Sequence, residues 1–268
     1  MKTILFLLVL GLPIAYLACL WSYGRFFFTR DEPRQNLWAR LGLAITLFMH
    51  FGLLSLLAIQ HHRCPLWTQG EALLFLAWML AIIHLISEWS ANTKRLGFFT
   101  LGPVALCTIL ALFFLGKDLV LSPQYRSSWF IFHILASLAA YACYSLTAVL
   151  AGVYLLLHRK LKRKTFDIAF RKLPPLDQLD KLAASWSFMG TLMMLASSFI
   201  GALWVRQDSL SRMGIREIGI FLVLILFLSS SITRRLFGWR GRRHAQLVLI
   251  SYTVLLVVNL LGIHGFSL

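Results

Sequence analysis

The sequence predicts an all-α fold: a polytopic integral membrane bundle of eight transmembrane helices with both termini outside. Three observations carry that prediction. The 268 residues are 59% hydrophobic and only 13% charged, against roughly 45–50% and about 25% in soluble domains. Eight stretches meet or approach the run of about 20 apolar residues that a lipid-crossing helix needs. The 26 Lys and Arg outnumber the 10 Asp and Glu to give a net charge of +16, and they gather in short clusters between the apolar runs. Charge so distributed reflects membrane topology and not one basic face for nucleic acid, so no nucleic-acid partner is expected.

Taken in order, the first span covers 3–22, with Lys2 before it and Arg25, Arg30 and Arg34 after it. Leu17-Ala18-Cys19 has the outline of a lipobox, but Tyr16 fits that pattern poorly and only Lys2 precedes the apolar run, so the segment reads as a retained helix. The second span, 38–60, closes on His61-His62, and the third, 71–91, is bracketed by Glu71 and Glu88. The fourth, 97–115, follows Lys94 and Arg95, and the fifth, 129–157, opens on Trp129. A stretch at 158–182 then carries eight basic residues, is broken by Pro174-Pro175, and is expected to lie as a cytoplasmic loop along the membrane surface. The last spans are 183–204, 215–233 and 246–264, with Arg234, Arg235, Arg240, Arg242 and Arg243 between the final two. Alternate connections hold 19 of the 26 basic residues. Lys and Arg near span ends stay on the cytoplasmic side, which fixes the orientation. The whole of 1–268 reads as a single membrane domain. Cys19, Cys64, Cys107 and Cys143 show no CxxC spacing and three lie in apolar runs, so they read as small hydrophobes.

No nucleotide-binding loop, HExxH or GxSxG occurs, and no independent catalytic activity is expected. The histidines carry the chemical information. His158 and His244 sit beside Arg159 and Arg243 in basic connections and read as solvated or lipid-facing polarity. His61 and His62 are neighbours whose side chains diverge by about 100° on a helix, which makes a shared metal difficult. His50 and His84 fall deep in spans 2 and 3, about 15 and 20 Å from the outer ends. Ionisable groups at that depth are functional candidates, and these two are candidate partners for each other. Separate hydrogen bonds to Ser, Thr or backbone carbonyls are the alternative. His133, just over a turn after Trp129, and His264, closing span 8, belong to the same outer face. Two imidazoles from different helices can form a six-coordinate haem site, and interfacial polarity is the competing explanation. Trp21, Trp38, Trp67, Trp89, Trp129, Trp204 and Trp239 lie near span ends as an interfacial belt would. Trp67, Trp129 and Trp204 are also placed to stack on a porphyrin at the outer face.

These residues resemble a known group, the membrane-integral cytochrome c assembly family, which includes CcsA/ResC, HemX and YpjD-like proteins. The similarity rests on Pro65-Leu66 with Glu71-Ala72-Leu73 and Trp78, on Leu96-Gly97-Phe98 with Pro103, and on Trp129-Phe-Ile-Phe-His133 continuing through Ser137 and Tyr141. It extends to Leu173-Pro174-Pro175-Leu176-Asp177 with Leu179-Asp180, and to Gly238-Trp239-Arg240-Gly241-Arg242-Arg243. The resemblance implies haem handling at the outer face, with His133 as the first external haem histidine and His264 near the second. His50 resembles the span-2 histidine of HemX and YpjD-like members, while His84 falls where the family has a tyrosine.

The family's synthetase members carry an outer tryptophan-rich tract where this chain reads Gly201-Ala-Leu-Trp204-Val-Arg-Gln-Asp208-Ser-Leu-Ser-Arg212. That departure resembles the HemX and YpjD-like branch. The implied function is a haem (heme b)-binding protein of the bacterial inner membrane, holding haem near the outer face for cytochrome c biogenesis or haem allocation. Its cofactor-binding residues would be His133, His264, His50, His84, Trp129 and Trp204, with His133 and His264 on the metal. Its partners would be the lipid bilayer, haem and a cytochrome c biogenesis subunit. The alternative is a non-catalytic regulator that engages a soluble haem-biosynthesis enzyme through 158–182.

Overall fold

The computed structural model describes residues 2–29, 33–91, 93–115, 127–165, 167–204 and 215–264. Among the described residues the chain is helical throughout: α1 Lys2–Phe28, α2 Pro33–His61, α3 Gln69–Ala91, α4 Gly97–Phe114, α5 Ser128–Lys162, the short α6 Ile168–Lys172, α7 Leu176–Trp204, α8 Ile215–Leu236 and α9 Arg242–His264. Eight of these are long and apolar enough to cross a membrane. With no water in the hydrocarbon to take up backbone polar groups, continuous helix is the conformation such segments must adopt.

The helices run past the hydropathy limits wherever the flanking residues are good helix formers. Most of 158–182 is therefore helix. α5 continues through Arg159, Lys160 and Lys162, whose cations suit the negative end of the helix dipole. α7 starts directly after Pro174-Pro175, with Asp177 in its first turn at the positive end. The start of α3 is fixed by reciprocal bonds: the Glu71 backbone N–H donates to Thr68 Oγ1 at 3.1 Å, and the Thr68 N–H donates to Glu71 Oε2 at 3.2 Å. This is the Thr-x-x-Glu capping box, readable in the sequence.

The chain forms two compact units, 1–125 with 167–174, and 126–166 with 175–268. In the first, α1 packs on α2 and α4, and α3 packs along α4. α1 buries Leu12, Tyr16, Cys19, Tyr23 and Phe27, spaced as one helical face. Gly97 lets the α4 backbone meet the Tyr23 ring, because a Cβ there would stand 2.1 Å from a ring carbon. Arg95 donates to the Lys172 carbonyl at 3.1 Å, and the Lys172 amine reaches the Thr29 carbonyl, so the α6 segment is held within this unit.

In the second unit α5 packs along α7 over much of its length, with α9 on α5 and α8 against α9. Tyr144 stacks face to face on Phe227, with ring centroids 3.6 Å apart and planes 10° from parallel. Gly190 of α7 makes room for that ring, since a Cβ there would lie 2.7 Å from it. Small residues at such contacts bring helices close where lipid supplies no hydrophobic drive between them.

Candidate functional site

The structure divides the candidate histidines between the units, His50 and His84 in the first and His133 and His264 in the second. Within the first unit each buried histidine has its own partner. His50 Nδ1 lies 2.9 Å from Tyr16 Oη of α1, with the two rings edge to face. His84 Nδ1 lies 2.8 Å from Thr100 Oγ1 of α4. One turn on, Glu88 is the centre of a buried cluster. Tyr23 Oη donates to its Oε2 at 2.7 Å, His84 Nε2 stands 3.5 Å from the same oxygen, and Arg40 Nε stands 3.5 Å from Oε1. The carboxylate thus meets groups from α1 and α2 as well as from its own helix, which a buried charge requires to persist in lipid. The reading of His50 and His84 as hydrogen-bonded bundle polarity describes these contacts.

The two acids of α3 are both ion-paired. Glu71 accepts from Arg63 Nη1 at 2.8 Å and from the Trp67 backbone N–H at 2.9 Å, which ties the connection after α2 to the start of α3.

In the second unit His133 lies in the second turn of α5, half-buried against α7. Its Nδ1 is 2.8 Å from the Ser197 carbonyl oxygen. A carbonyl only accepts, so Nδ1 carries the proton and Nε2 carries the lone pair. That is the imidazole form a metal takes, with the second nitrogen oriented by a backbone acceptor. Two serines brace the same turn: Ser137 and Ser197 both donate to the His133 carbonyl, at 2.9 and 3.1 Å, and their hydroxyls stand 2.6 Å apart. Gly201, one turn beyond Ser197, leaves room for the ring, because a Cβ there would meet Nδ1 at 2.8 Å. Trp129, one turn before His133, is 56% exposed.

The register of α5 against α9 relates His133 to the far end of the chain. Ser145 Oγ bonds Tyr252 Oη at 2.9 Å, and Gly241 abuts the Tyr154 hydroxyl. The helices therefore run antiparallel. Twelve residues back from Ser145 is His133, and twelve on from Tyr252 is the last residue of α9, His264. Equal counts at the same rise per residue bring both backbones to one level of the unit. The side chains of Trp204 and His264, and the whole of Asp208, lie outside the described residues.

At the opposite end of this unit the structure corrects one expectation. His244 is not solvated polarity; it is buried, with Nδ1 3.7 Å from Asp180 Oδ1. Asp180 also pairs with Arg234 Nη2 at 2.8 Å and accepts the Gly241 backbone N–H at 2.9 Å. Gly241 has φ +64, a conformation glycine adopts without strain. One carboxylate thus joins the first turns of α7 to the Gly-Trp-Arg-Gly turn. His158 stacks on Tyr154 at 6.0 Å, also within the helix surface. The exposed Trp21, Trp38, Trp89, Trp129 and Trp239 keep the belt pattern.

Sequence reasoning missed Tyr16 and Tyr23, the partners of His50 and Glu88. Their signal was available: they lie seven residues apart on α1, two polar-tipped rings on one face of an otherwise apolar helix. It missed the meeting of Asp180 with Gly241 because 61 residues separate them.

Comparison with known proteins identifies a family and relatives. Residues 66–264 match the family described as Cytochrome C assembly protein. The cytochrome c biogenesis protein CcsA of Mesostigma viride is 28% identical over 279 residues, covering 91% of each chain. CcsA of Synechococcus sp. (strain CC9902) is 27% identical over 96% of this chain and 91% of its own. Protein HemX of Brevibacillus brevis is 28% identical over a shorter stretch, 55% of this chain and 54% of its own. The match begins in the connection before α3 and ends at His264, so it takes in the His133 turn, the Asp180 junction and the close approaches at Gly190, Gly201 and Gly241. This multi-pass membrane protein belongs to the cytochrome c assembly protein family.

Proposed function

We propose that the protein binds haem in its second unit, with His133 as one axial ligand and His264 as the other, and holds it at one membrane face for cytochrome c biogenesis or haem allocation. The observation that carries the reading is the His133 Nδ1 to Ser197 carbonyl bond at 2.8 Å, which directs the lone pair to Nε2. Support also comes from the common level of residues 133 and 264 in the α5 and α9 register and from membership of a cytochrome c assembly family. The haem would supply iron for bis-imidazole coordination; the protein's own part is to fix the imidazole tautomer and to shape the helix surface beside it. Trp129 stands one turn from His133 as a stacking candidate, and Trp204 ends α7 three residues after Gly201. His50 and His84 bond through Nδ1 to Tyr16 and Thr100 of the first unit, and the reading gives the haem to the pair in the second. The excess of basic residues on alternate connections supports an orientation with the His133 end outside, in a bacterial inner membrane.

An optical spectrum tests this, recorded on the detergent-purified full chain, oxidised and dithionite-reduced, for wild type and His133→Ala. Sharp reduced α and Soret bands, lost or converted to a high-spin spectrum in the variant, are expected. A wild type that stays colourless after haem is added overturns the proposal. The reading as a regulator of a soluble haem-biosynthesis enzyme would then be favoured, resting on the similarity to HemX and on the exposed cations Arg159, Lys162, Arg163 and Lys164.

A further inference from the structure

The basic end of α5 offers a second site, unrelated to the His133 end. A groove of about 490 Å³ opens between α5 and α9, within the roughly 300–1,000 Å³ of small-molecule sites. Along α5 its lining residues recur at helical spacing. Leu155 and Leu156 form the half nearer the middle of the helix, and Arg159, Lys160 and Arg163 form the half nearer its end. Leu249 of α9 closes the apolar half from the other side. From Leu155 to Arg163 the stripe runs about 12 Å along the axis. An apolar trough therefore leads into a cluster of three cations on one helix face. Leu156 is 41% exposed, so the trough opens toward the surface that lipid covers.

Membrane topology requires cations somewhere in this segment, and the dipole at the C-terminal end of α5 favours them in the last turns. Neither requires three of them to share one wall with a trough. Lys162 and Lys164, equally charged and exposed, lie outside that wall. A groove with an anion-binding head and an apolar floor, on a helix that crosses the bilayer, has the chemistry of an anionic amphiphile.

We infer that this groove binds an anionic phospholipid, its phosphate between Arg159 and Arg163 and the first methylenes of one acyl chain on Leu155, Leu156 and Leu249. The inference stands whether or not the second unit binds haem.

The test uses the full chain in nanodiscs made from equal parts of phosphatidylglycerol and phosphatidylcholine, with the lipid retained after transfer to detergent counted by native mass spectrometry. Wild type is expected to retain phosphatidylglycerol selectively. Arg159→Gln with Arg163→Gln should lower that selectivity on the order of tenfold, and Arg159→Lys with Arg163→Lys should restore most of it. Lys162→Gln with Lys164→Gln, which removes the same charge, should leave it in place. Leu156→Gln keeps every cation and should also weaken retention, which guards against a glutamine pair that fails to fold. An equal fall in both glutamine pairs would reduce the effect to general surface charge and overturn the site, as would no fall in either. Displacement of the lipid by millimolar inorganic phosphate would mark an ion site without a lipid component, and would overturn the inference equally.

Discussion

His84 in the first unit and His133 in the second both rest Nδ1 on an oxygen 2.8 Å away, yet their settings differ at the other nitrogen. His84 Nε2 faces the buried Glu88 carboxylate, whose other neighbours are Tyr23 and the part-exposed Arg40. His133 is half-buried at a helix end, in a turn braced by two serines and cleared by a glycine. Two histidines with the same Nδ1 contact distance thus differ in what surrounds the second ring nitrogen. In the first unit the buried ionisable groups neutralise one another and hold four helices together. In the second the imidazole is oriented by the Ser197 carbonyl at Nδ1.

Substitutions can break this contrast or sharpen it. The largest effect should come from Glu88→Leu, which leaves the buried Tyr23 hydroxyl without its acceptor and the part-exposed Arg40 without its carboxylate, and is expected to cost about 3 kcal/mol. Thermal unfolding in detergent would show it, while the haem bound per folded molecule should stay unchanged; a folded variant that had lost its haem would move the cofactor site into the first unit. His133→Ala should behave in the opposite sense, with colour lost and the unfolding temperature shifted by only a few degrees. Equal damage to both readouts would deny the division of labour. Gly201→Ala is a finer probe, because the new methyl meets His133 Nδ1 at 2.8 Å and must displace the ring. Overpacking of this kind costs about 1–3 kcal/mol, and haem affinity should fall by about tenfold, read by titration of the apoprotein. Ser197→Ala should do least. The carbonyl that orients His133 is backbone and survives the change, so about 1 kcal/mol of stability is expected to go with the hydroxyl bonds, with the reduced α band unmoved. A large spectral shift would transfer the orienting role from the carbonyl to the hydroxyl.

Much of the fold was legible because lipid imposes a one-dimensional rule. A segment such as 97–115 must be helix if it crosses at all, and the observed α4 ends within one residue of that expectation. The His133 turn was legible for a different reason, namely the company of Trp129, Ser137 and the matching end at His264. What the sequence concealed was the rotation of each helix about its axis. In the α1–α4 segments apolar residues point in every direction, toward lipid and toward neighbours alike, so the pattern does not say which helix a given polar group meets. His50 and His84 look like a pair for that reason, and in the structure one turns to α1 and the other to α4. The division into two units was hidden similarly, since 167–174 returns to the first unit from a segment whose charge resembles its surroundings.

The Asp180 junction bears on how the chain is made. α7 enters the bilayer while the residues that complete its first turns, Arg234 and Gly241, are still to be synthesised. Until the final hairpin arrives, Asp180 and the room beneath Tyr154 await a backbone that only a glycine at position 241 fills without collision. The contacts around Asp180 are therefore completed only by the last element of the unit. A chain ending before α8 would lack all three of the groups that meet Asp180, namely Arg234, the Gly241 N–H and His244.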